Sequence, residues 1–432
     1  MARDTVEIPF DAAHLAHIKL QMLNWSSKFG ICLFLDSNEY PDPHGKYECL
    51  LAAGAIKTFS GENRQGLENL QDYLSTHQDW IFGHLAYELK DVFEPTLSST
   101  KRINYGFQPF SFFVPEIVLQ IPKGKSTLRV ESLGASASSV VSEVLAQTDT
   151  SSEMLPKISF KSRLNREEYL KMIETLRQHI YDGDCYEITF CNESFSKGTI
   201  INPLEVFQKL NKASPAPFAA FYRLKSLALM CSSPERFLQR NGSEILSQPI
   251  KGTTARGATK ELDNELKAVL AASEKERAEN VMIVDLVRND LAKVSVPGSV
   301  EVEELFGVYT FPAVHQLIST ISGKLRDKVS LVDILAATFP MGSMTGAPKH
   351  RVMQFIEDYE TVRRELFSGS VGYISPNGDF DFNVIIRSLF YNEVNTFLSY
   401  QTGGAITWGS IPEQEWEEAR LKAVVMEQIF EK

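Results

Sequence analysis

A sheet-rich α+β fold is expected for this chain, because strand-like and helical stretches mix along it without the strict alternation that a doubly wound parallel sheet demands. Short runs rich in aromatic and β-branched residues supply the strands, and long amphipathic runs bounded by caps supply the helices. Phe110-Ser111-Phe112-Phe113-Val114 and Ile117-Val118-Leu119 read as early strands. Residues 132–156 then break the composition, with Ser132-Leu133-Gly134-Ala135-Ser136-Ala137-Ser138-Ser139 and later Thr148-Asp149-Thr150-Ser151-Ser152 poor in aromatics, and read as a linker or surface excursion. It divides a region 1–131 from a region 157–432.

Beyond that break the signals sharpen. Asn165 with Glu168 three residues later makes a capping box, and Tyr169, Met172, Ile173, Leu176 and Ile180 recur at helical spacing until Gly183. Strands are expected at 187–190, 227–231, 382–386 and 396–400, and helices at about 260–272, 274–291 and 351–359, with another near the C-terminus. No internal repeat of fixed period is present.

A length of 432 residues with 43% hydrophobic content allows a large core and two or three domains by size. The net charge of −11 excludes the basic footprint of a nucleic-acid binder, while leaving room for a local cationic pocket for a small anion. Cys32, Cys49, Cys185, Cys191 and Cys231 are odd in number and scattered, without zinc-site spacing or a disulfide framework, so a reducing cytoplasm is expected. Met1-Ala2-Arg3-Asp4 carries no cationic and apolar leader, and no stretch reaches the length of a membrane span, so no membrane partner is expected.

The most informative residue is Lys251, in Gln248-Pro249-Ile250-Lys251-Gly252-Thr253-Thr254. Proline fixes the backbone before it and glycine admits a ligand close to the main chain, so the amine is presented from a shaped turn. A lysine held in that way can lose its proton and act as nucleophile or base. Most lysines are solvated surface charges, and this residue alone does not exclude that role.

Acidic residues offer a second constellation. Glu415, Glu418 and Lys422 stand at i, i+3 and i+7 and project from one face of the C-terminal helix, just after Thr402-Gly403-Gly404-Ala405. Two carboxylates on one face suit a hard cation, although a solvated helix with ion pairs uses the same spacing. Glu279, in the charged run 274–280, is a third oxygen donor, and spacing alone does not bring it to Glu415.

Gly342-Ser343-Met344-Thr345-Gly346-Ala347-Pro348-Lys349 precedes a helix whose first-turn amides can hold an anion, although it lacks the order of a phosphate loop. Arg387, at the end of the run 382–386, can clamp a carboxylate bidentately, or lie at the surface. His315 and Glu235 are lone titratable groups in apolar settings; burial would raise the glutamate into the range of a general acid.

Jointly, Ser233 to Phe237, Pro249 to Thr253, Lys275 to Asp290, Val314 to Ser319, Phe339 to Lys349, Gly369 to Tyr373 and Gly403 through Lys422 resemble the chorismate-utilising enzymes. That family includes anthranilate synthase component I, aminodeoxychorismate synthase component I and the isochorismate and salicylate synthases. The resemblance spans about residues 160 to 432, a chorismate-binding catalytic domain. Residues 1 to about 130, including Trp80-Ile81-Phe82-Gly83-His84-Leu85-Ala86-Tyr87-Glu88-Leu89-Lys90, are similar to the family's N-terminal region. It implies two large antiparallel sheets packed as a sandwich with helices outside.

Within the family, Pro-Ile-Lys-Gly-Thr and the pair Glu279-Asn280 resemble the aminodeoxychorismate synthase branch. That implies a magnesium-dependent replacement of the hydroxyl at carbon 4 of chorismate by ammonia, on the route to 4-aminobenzoate and folate. Lys251 would attack carbon 2 and ammonia would then resolve the adduct at carbon 4. Glu235 resembles the acid that protonates the departing hydroxyl. Gly252, Thr253, His315, Thr345, Arg387, Gly403, Gly404 and Lys422 match substrate-binding positions, and Glu279, Glu415 and Glu418 the Mg2+ ligands. Ammonia would come from a glutamine amidotransferase subunit or from solution, and a separate aminodeoxychorismate lyase would complete the route.

Three positions depart from the family pattern. Ala405 replaces a glycine, Glu187 stands where this branch usually has glutamine and the water-adding relatives a lysine base, and Leu50-Leu51-Ala52-Ala53 lacks the Glu-Ser of the tryptophan-binding motif. Anthranilate synthase component I, which aminates carbon 2, and a non-catalytic subunit binding chorismate or the amidotransferase are the competing expectations.

Overall fold

The computed structural model describes residues 3–97, 99–148, 154–311 and 314–431. Two large sheets dominate it, one of twelve strands and one of ten, and their strand pairings are antiparallel. Eleven helices lie among the described residues. The α+β sandwich expected from the sequence is borne out.

Period-2 alternation explains the layers. On strand Ile31–Asp36, Leu33 points to the interior shared by both sheets, with Leu50, Tyr222 and Leu229 from the first sheet and Phe82, Leu238, Ile321 and Phe382 from the second. Cys32 and Phe34 point the other way, into a second core with Met22, Val140, Phe207 and Met426. Those four come from helices Leu15–Ser26, Ala137–Leu145, Pro203–Ala213 and Pro412–Gln428, which cover the outer face of the first sheet. The helix expected after Asn165 runs Arg166–Tyr181 with its capping box formed, burying Tyr169, Ile173 and Leu176.

Two local expectations are corrected. The stretch 132–156 carries the helix Ala137–Leu145, in which Ala137, Val140, Val141 and Val144 are buried; its serines masked that apolar stripe. Residues 149–153 of the stretch lie outside the described residues, and strands from both sides of it share each sheet. The strand expected at 382–386 runs Phe380–Asn383 and stops, because the Ile386 amide turns back to the Val384 carbonyl.

Four strands and two helices converge on one cleft. Strand Glu187–Lys197 of the first sheet pairs with Phe397–Ile406, on which helix Pro412–Gln428 packs. Strand Ile250–Ala255, at the edge of the second sheet, pairs with Val314–Lys324, and helix Glu274–Ala292 packs on both. The cleft therefore opens where the two sheets face each other.

Candidate active site

A cavity of about 360 Å³ occupies that cleft, and Lys251 lies on its wall. A register shift between Ile250 and Thr253 bulges the strand there, with Gly252 at φ +90°. Such a bulge re-aims the neighbouring side chain, and the positive φ calls for glycine. A methyl group at Gly252 would also stand 2.9 Å from Glu276 Oε2. Lys251 is thereby turned inward, 8% exposed, with Nζ 2.5 Å from Glu187 Oε1 across the cleft. Burial alone would lower its pKa, but Glu187, Glu279 and Glu235 outweigh burial and raise it.

Glu235 follows strand Leu227–Ser233 and is 3% exposed. Its Oε1 accepts a hydrogen bond from Ser343 Oγ at 2.6 Å. Burial pushes its pKa up to about 7, against the opposing pull of Ser343, Lys251 and Arg387. A carboxyl poised there can give and take a proton near neutrality. Arg387 lines the same cavity at φ +51°, its guanidinium making no hydrogen bond or ion pair among the described residues. Burial lowers its pKa to about 10 despite Glu235, so an anion entering the cavity would meet an unpaired cation.

The acidic residues gather on the opposite side. Helix Pro412–Gln428 buries Glu415, Ala419, Ala423 and Met426 on its inner face, which leaves Glu418 and Lys422 facing the cavity. Lys422 Nζ donates to Glu418 Oε1 at 2.7 Å and to the Gly403 carbonyl at 2.8 Å. Burial would raise Glu418, but Lys422 holds it below the usual carboxylate range. Gly403 has no room for a side chain, since a methyl group would meet the Phe190 carbonyl at 1.9 Å. At Gly404 the nearest atom to such a methyl is Glu415 Oε2, at 3.1 Å.

Lys275 ties the glutamates together, its Nζ 3.4 Å from Glu415 Oε1 and 3.9 Å from Glu279 Oε1. Glu279 Oε1 and Glu415 Oε2 are buried with no hydrogen-bond partner among the described residues. Burial raises Glu279 to about 8, with Lys251 opposing and Glu187 reinforcing the shift. No group of three or more His, Cys, Asp or Glu among the described residues is drawn together tightly enough to hold a metal ion unaided.

The family described as chorismate binding enzyme matches residues 32–428. The chain belongs to the chorismate-binding enzymes. The chloroplastic aminodeoxychorismate synthase of Arabidopsis thaliana is 42% identical over 294 residues, covering 67% of this chain and 31% of that protein. Aminodeoxychorismate synthase component 1 of Escherichia coli strain K12 is 42% identical over 259 residues, covering 60% of this chain and 56% of that one. The chain thus spans between about a third and just over half the length of these curated relatives. The crystal structure of anthranilate synthase component I from Streptococcus pneumoniae TIGR4 shares the fold with a TM-score of 0.78 at 25% identity, covering 89% of this chain and 93% of that chain.

Of the positions expected to serve this chorismate-binding enzyme, Lys251, Gly252, Thr253, Glu235, Arg387, Gly403, Gly404, Lys422, Glu279 and Glu418 line one cavity, with Glu415 just behind Gly404. His315 does not reach it. On strand Val314–Lys324, Val314 and Gln316 face the cavity, so His315 faces away; its Nε2 lies 2.9 Å from Asp263 Oδ1 and its Nδ1 3.0 Å from Thr310 Oγ1. Thr345 is also withdrawn, its Oγ1 donating to the Met341 and Gly342 carbonyls, and Ser343 and Met344 form that part of the wall. Pro348 caps helix Lys349–Tyr359 from outside, and Lys349 turns to Asp290 and the Thr338 carbonyl, away from any anion loop.

Sequence reading missed Gln316, Ser343, Lys275 and Glu276, all on the cavity wall. Strand alternation offered one signal: His315 and Gln316 cannot both face the cleft. Ser343 sat inside a segment already singled out. Lys275 and Glu276 looked like ordinary helix surface.

Proposed function

We propose that this chorismate-binding enzyme aminates carbon 4 of chorismate, the aminodeoxychorismate synthase component I reaction. One observation carries the reading: a buried lysine and a buried glutamate poised near pH 7 share a cavity with an unpaired arginine. A nucleophile, a general acid and a carboxylate clamp are what a covalent displacement on a small anionic ring requires. The names of the 42%-identical relatives support the same choice.

Arg387 and Lys422 would orient the substrate's carboxylates, and the backbone at Gly403 and Gly404 would let them approach. Lys251 would attack carbon 2 while the carbon-4 hydroxyl departs, protonated by Glu235. Ammonia would then attack carbon 4 and expel the lysine, its surplus proton returning to Glu235. Glu279, Glu415 and Glu418 would hold Mg2+; the two buried carboxylate oxygens without a hydrogen-bond partner among the described residues and the all-oxygen donor set fit a hard cation. Bound there, Mg2+ would supply positive charge opposite a substrate carboxylate. Ammonia would come from a glutamine amidotransferase subunit, consistent with the "component 1" in the bacterial relative's name, and a lyase would take the product to 4-aminobenzoate.

All five cysteines are free and buried, which fits a reducing cytoplasm. Among the described residues no helix is long and apolar enough to cross a membrane. Purified protein given chorismate, magnesium and an ammonium salt should yield 4-amino-4-deoxychorismate, detected as 4-aminobenzoate once lyase is added. Accumulation of 2-aminobenzoate would overturn this assignment in favour of anthranilate synthase chemistry, and absence of any aminated product would favour a non-catalytic subunit.

A further inference from the structure

The reaction proposed above, on which this inference rests, gives Lys251 a task that its surroundings oppose. A nucleophilic amine needs a lone pair, yet the surrounding carboxylates favour the ammonium. Three face it from three elements: Glu187 at the start of strand Glu187–Lys197, Glu235 after strand Leu227–Ser233, and Glu279 on helix Glu274–Ala292. Glu187 alone is hydrogen-bonded to Nζ among the described residues, at 2.5 Å. Glu235 is engaged by Ser343, and Glu279 lies beside Lys275.

We propose that Glu187 is the proton acceptor of Lys251, taking a proton from Nζ as the amine attacks the ring and returning it when the amine leaves. The carboxyl is built to stay put: Glu187 is 0% exposed, and its main chain pairs with Ala347, where Gly346 has no room for a side chain against the Glu187 carbonyl at 2.0 Å. Its second oxygen, Oε2, is buried and has no partner among the described residues, so nothing else competes for the carboxyl.

The electron and proton count closes. In the first half an Nζ–H bond breaks and its proton goes to Glu187. The freed lone pair forms the bond from Nζ to carbon 2, the two ring double bonds shift, and the carbon-4 to oxygen bond breaks with its electron pair on oxygen. That oxygen takes the Glu235 proton and departs as water. In the second half ammonia bonds to carbon 4, the double bonds shift back, and the bond from Nζ to carbon 2 breaks with its pair on Nζ. Nζ recovers the proton from Glu187, and the new ammonium gives one to Glu235.

The test compares steady-state amination by wild type, Glu187→Gln, Glu187→Ala and Lys251→Ala, with ammonium salt as nitrogen source. Loss of a general base lowers kcat by roughly 10²–10⁴-fold, and chorismate KM is expected to stay within about threefold in Glu187→Gln. Added formate should restore at least about tenfold of the Glu187→Ala rate and nothing in the Glu187→Ala/Lys251→Ala double variant. A merely structural carboxylate would not be replaced by a free one. Wild-type kcat in Glu187→Gln, a raised KM with kcat unchanged, or no formate rescue each overturns the proposal. Wild-type turnover by Lys251→Ala would instead overturn the covalent reading beneath it.

Discussion

Ser343 Oγ donates a 2.6 Å hydrogen bond to Glu235 Oε1, and both side chains are buried at the cavity wall. Burial lifts the Glu235 pKa to about 7, and the hydrogen bond works against that rise by stabilising the carboxylate. A general acid acts in its protonated form, so amination should fall as pH climbs through about 7. Ser343→Ala removes stabilisation of the charged form, so the pKa rises and the alkaline limb should move up, by about one unit for each 1.4 kcal/mol lost. Glu235→Gln, which has no acidic proton to give, should lose roughly 10²–10⁴-fold in rate. The measurement is kcat/KM against pH at constant free ammonia; a limb that ignores Ser343→Ala would count against Glu235 as the acid.

Gly252 decides the aim of Lys251 through backbone alone. At φ +90°, with Glu276 Oε2 2.9 Å from the place of a methyl group, Gly252→Ala combines strain with a clash. Such a non-glycine outlier costs about 1–3 kcal/mol, which thermal or denaturant unfolding would register. If the strand relaxes to relieve it, the bulge straightens and Lys251 leaves Glu187. The expected result is therefore a modest loss of stability with a much larger loss of amination, and equal, proportionate losses would argue that the bulge does not set the lysine's direction.

Much of this architecture was legible because it follows from local periodicity. The capping box at Asn165 and the apolar spacing after it are readable without neighbours, and the helix formed as expected. The need for glycine beside Lys251 was readable for the same reason, since a positive φ leaves a local mark, although the residue sits in a bulged strand and not in the turn expected. Contacts between distant segments were not readable. Glu187 and Lys251 stand 64 positions apart, and Lys275 bridges Glu279 and Glu415, because two sheets fold face to face. The strand after Phe382 failed for another reason: Val384 and Ile385 are apolar enough for a strand, but they are buried in a turn that brings Arg387 inward at φ +51°.

Glu279 Oε1 and Glu415 Oε2 are buried without a hydrogen-bond partner among the described residues, while the Lys275 ammonium lies 3.9 Å from Glu279 Oε1 itself and 3.4 Å from the other Glu415 oxygen, Oε1. A divalent ion entering there would compete with that ammonium for the same oxygens. Glu279→Gln and Glu415→Gln should each weaken magnesium at least about tenfold, the lower bound seen even for groups that merely support metal ligands. Lys275→Gln should tighten it. Calorimetric magnesium titration in the presence of chorismate reads all three, and unchanged affinity in both glutamine variants would remove these residues from the metal site.

His315 and Gln316 are adjacent on one strand and therefore point to opposite sides of the sheet. Gln316 Nε2 donates to Thr253 Oγ1 at 3.2 Å, and its Oε1 is buried at the cavity with no partner among the described residues. His315 instead contacts Asp263, which also pairs with Arg256, on the far side. Gln316→Leu keeps the volume but removes both polar groups, and loss of one or two hydrogen bonds to a charged ligand, about 1.5–3 kcal/mol each, should raise chorismate KM roughly tenfold or more. His315→Ala should leave KM within about threefold while lowering stability by about 1–3 kcal/mol, because Asp263 and Thr310 lose a partner. KM and unfolding measured on both variants separate the two roles, and a raised KM in His315→Ala with none in Gln316→Leu would return the histidine to the substrate.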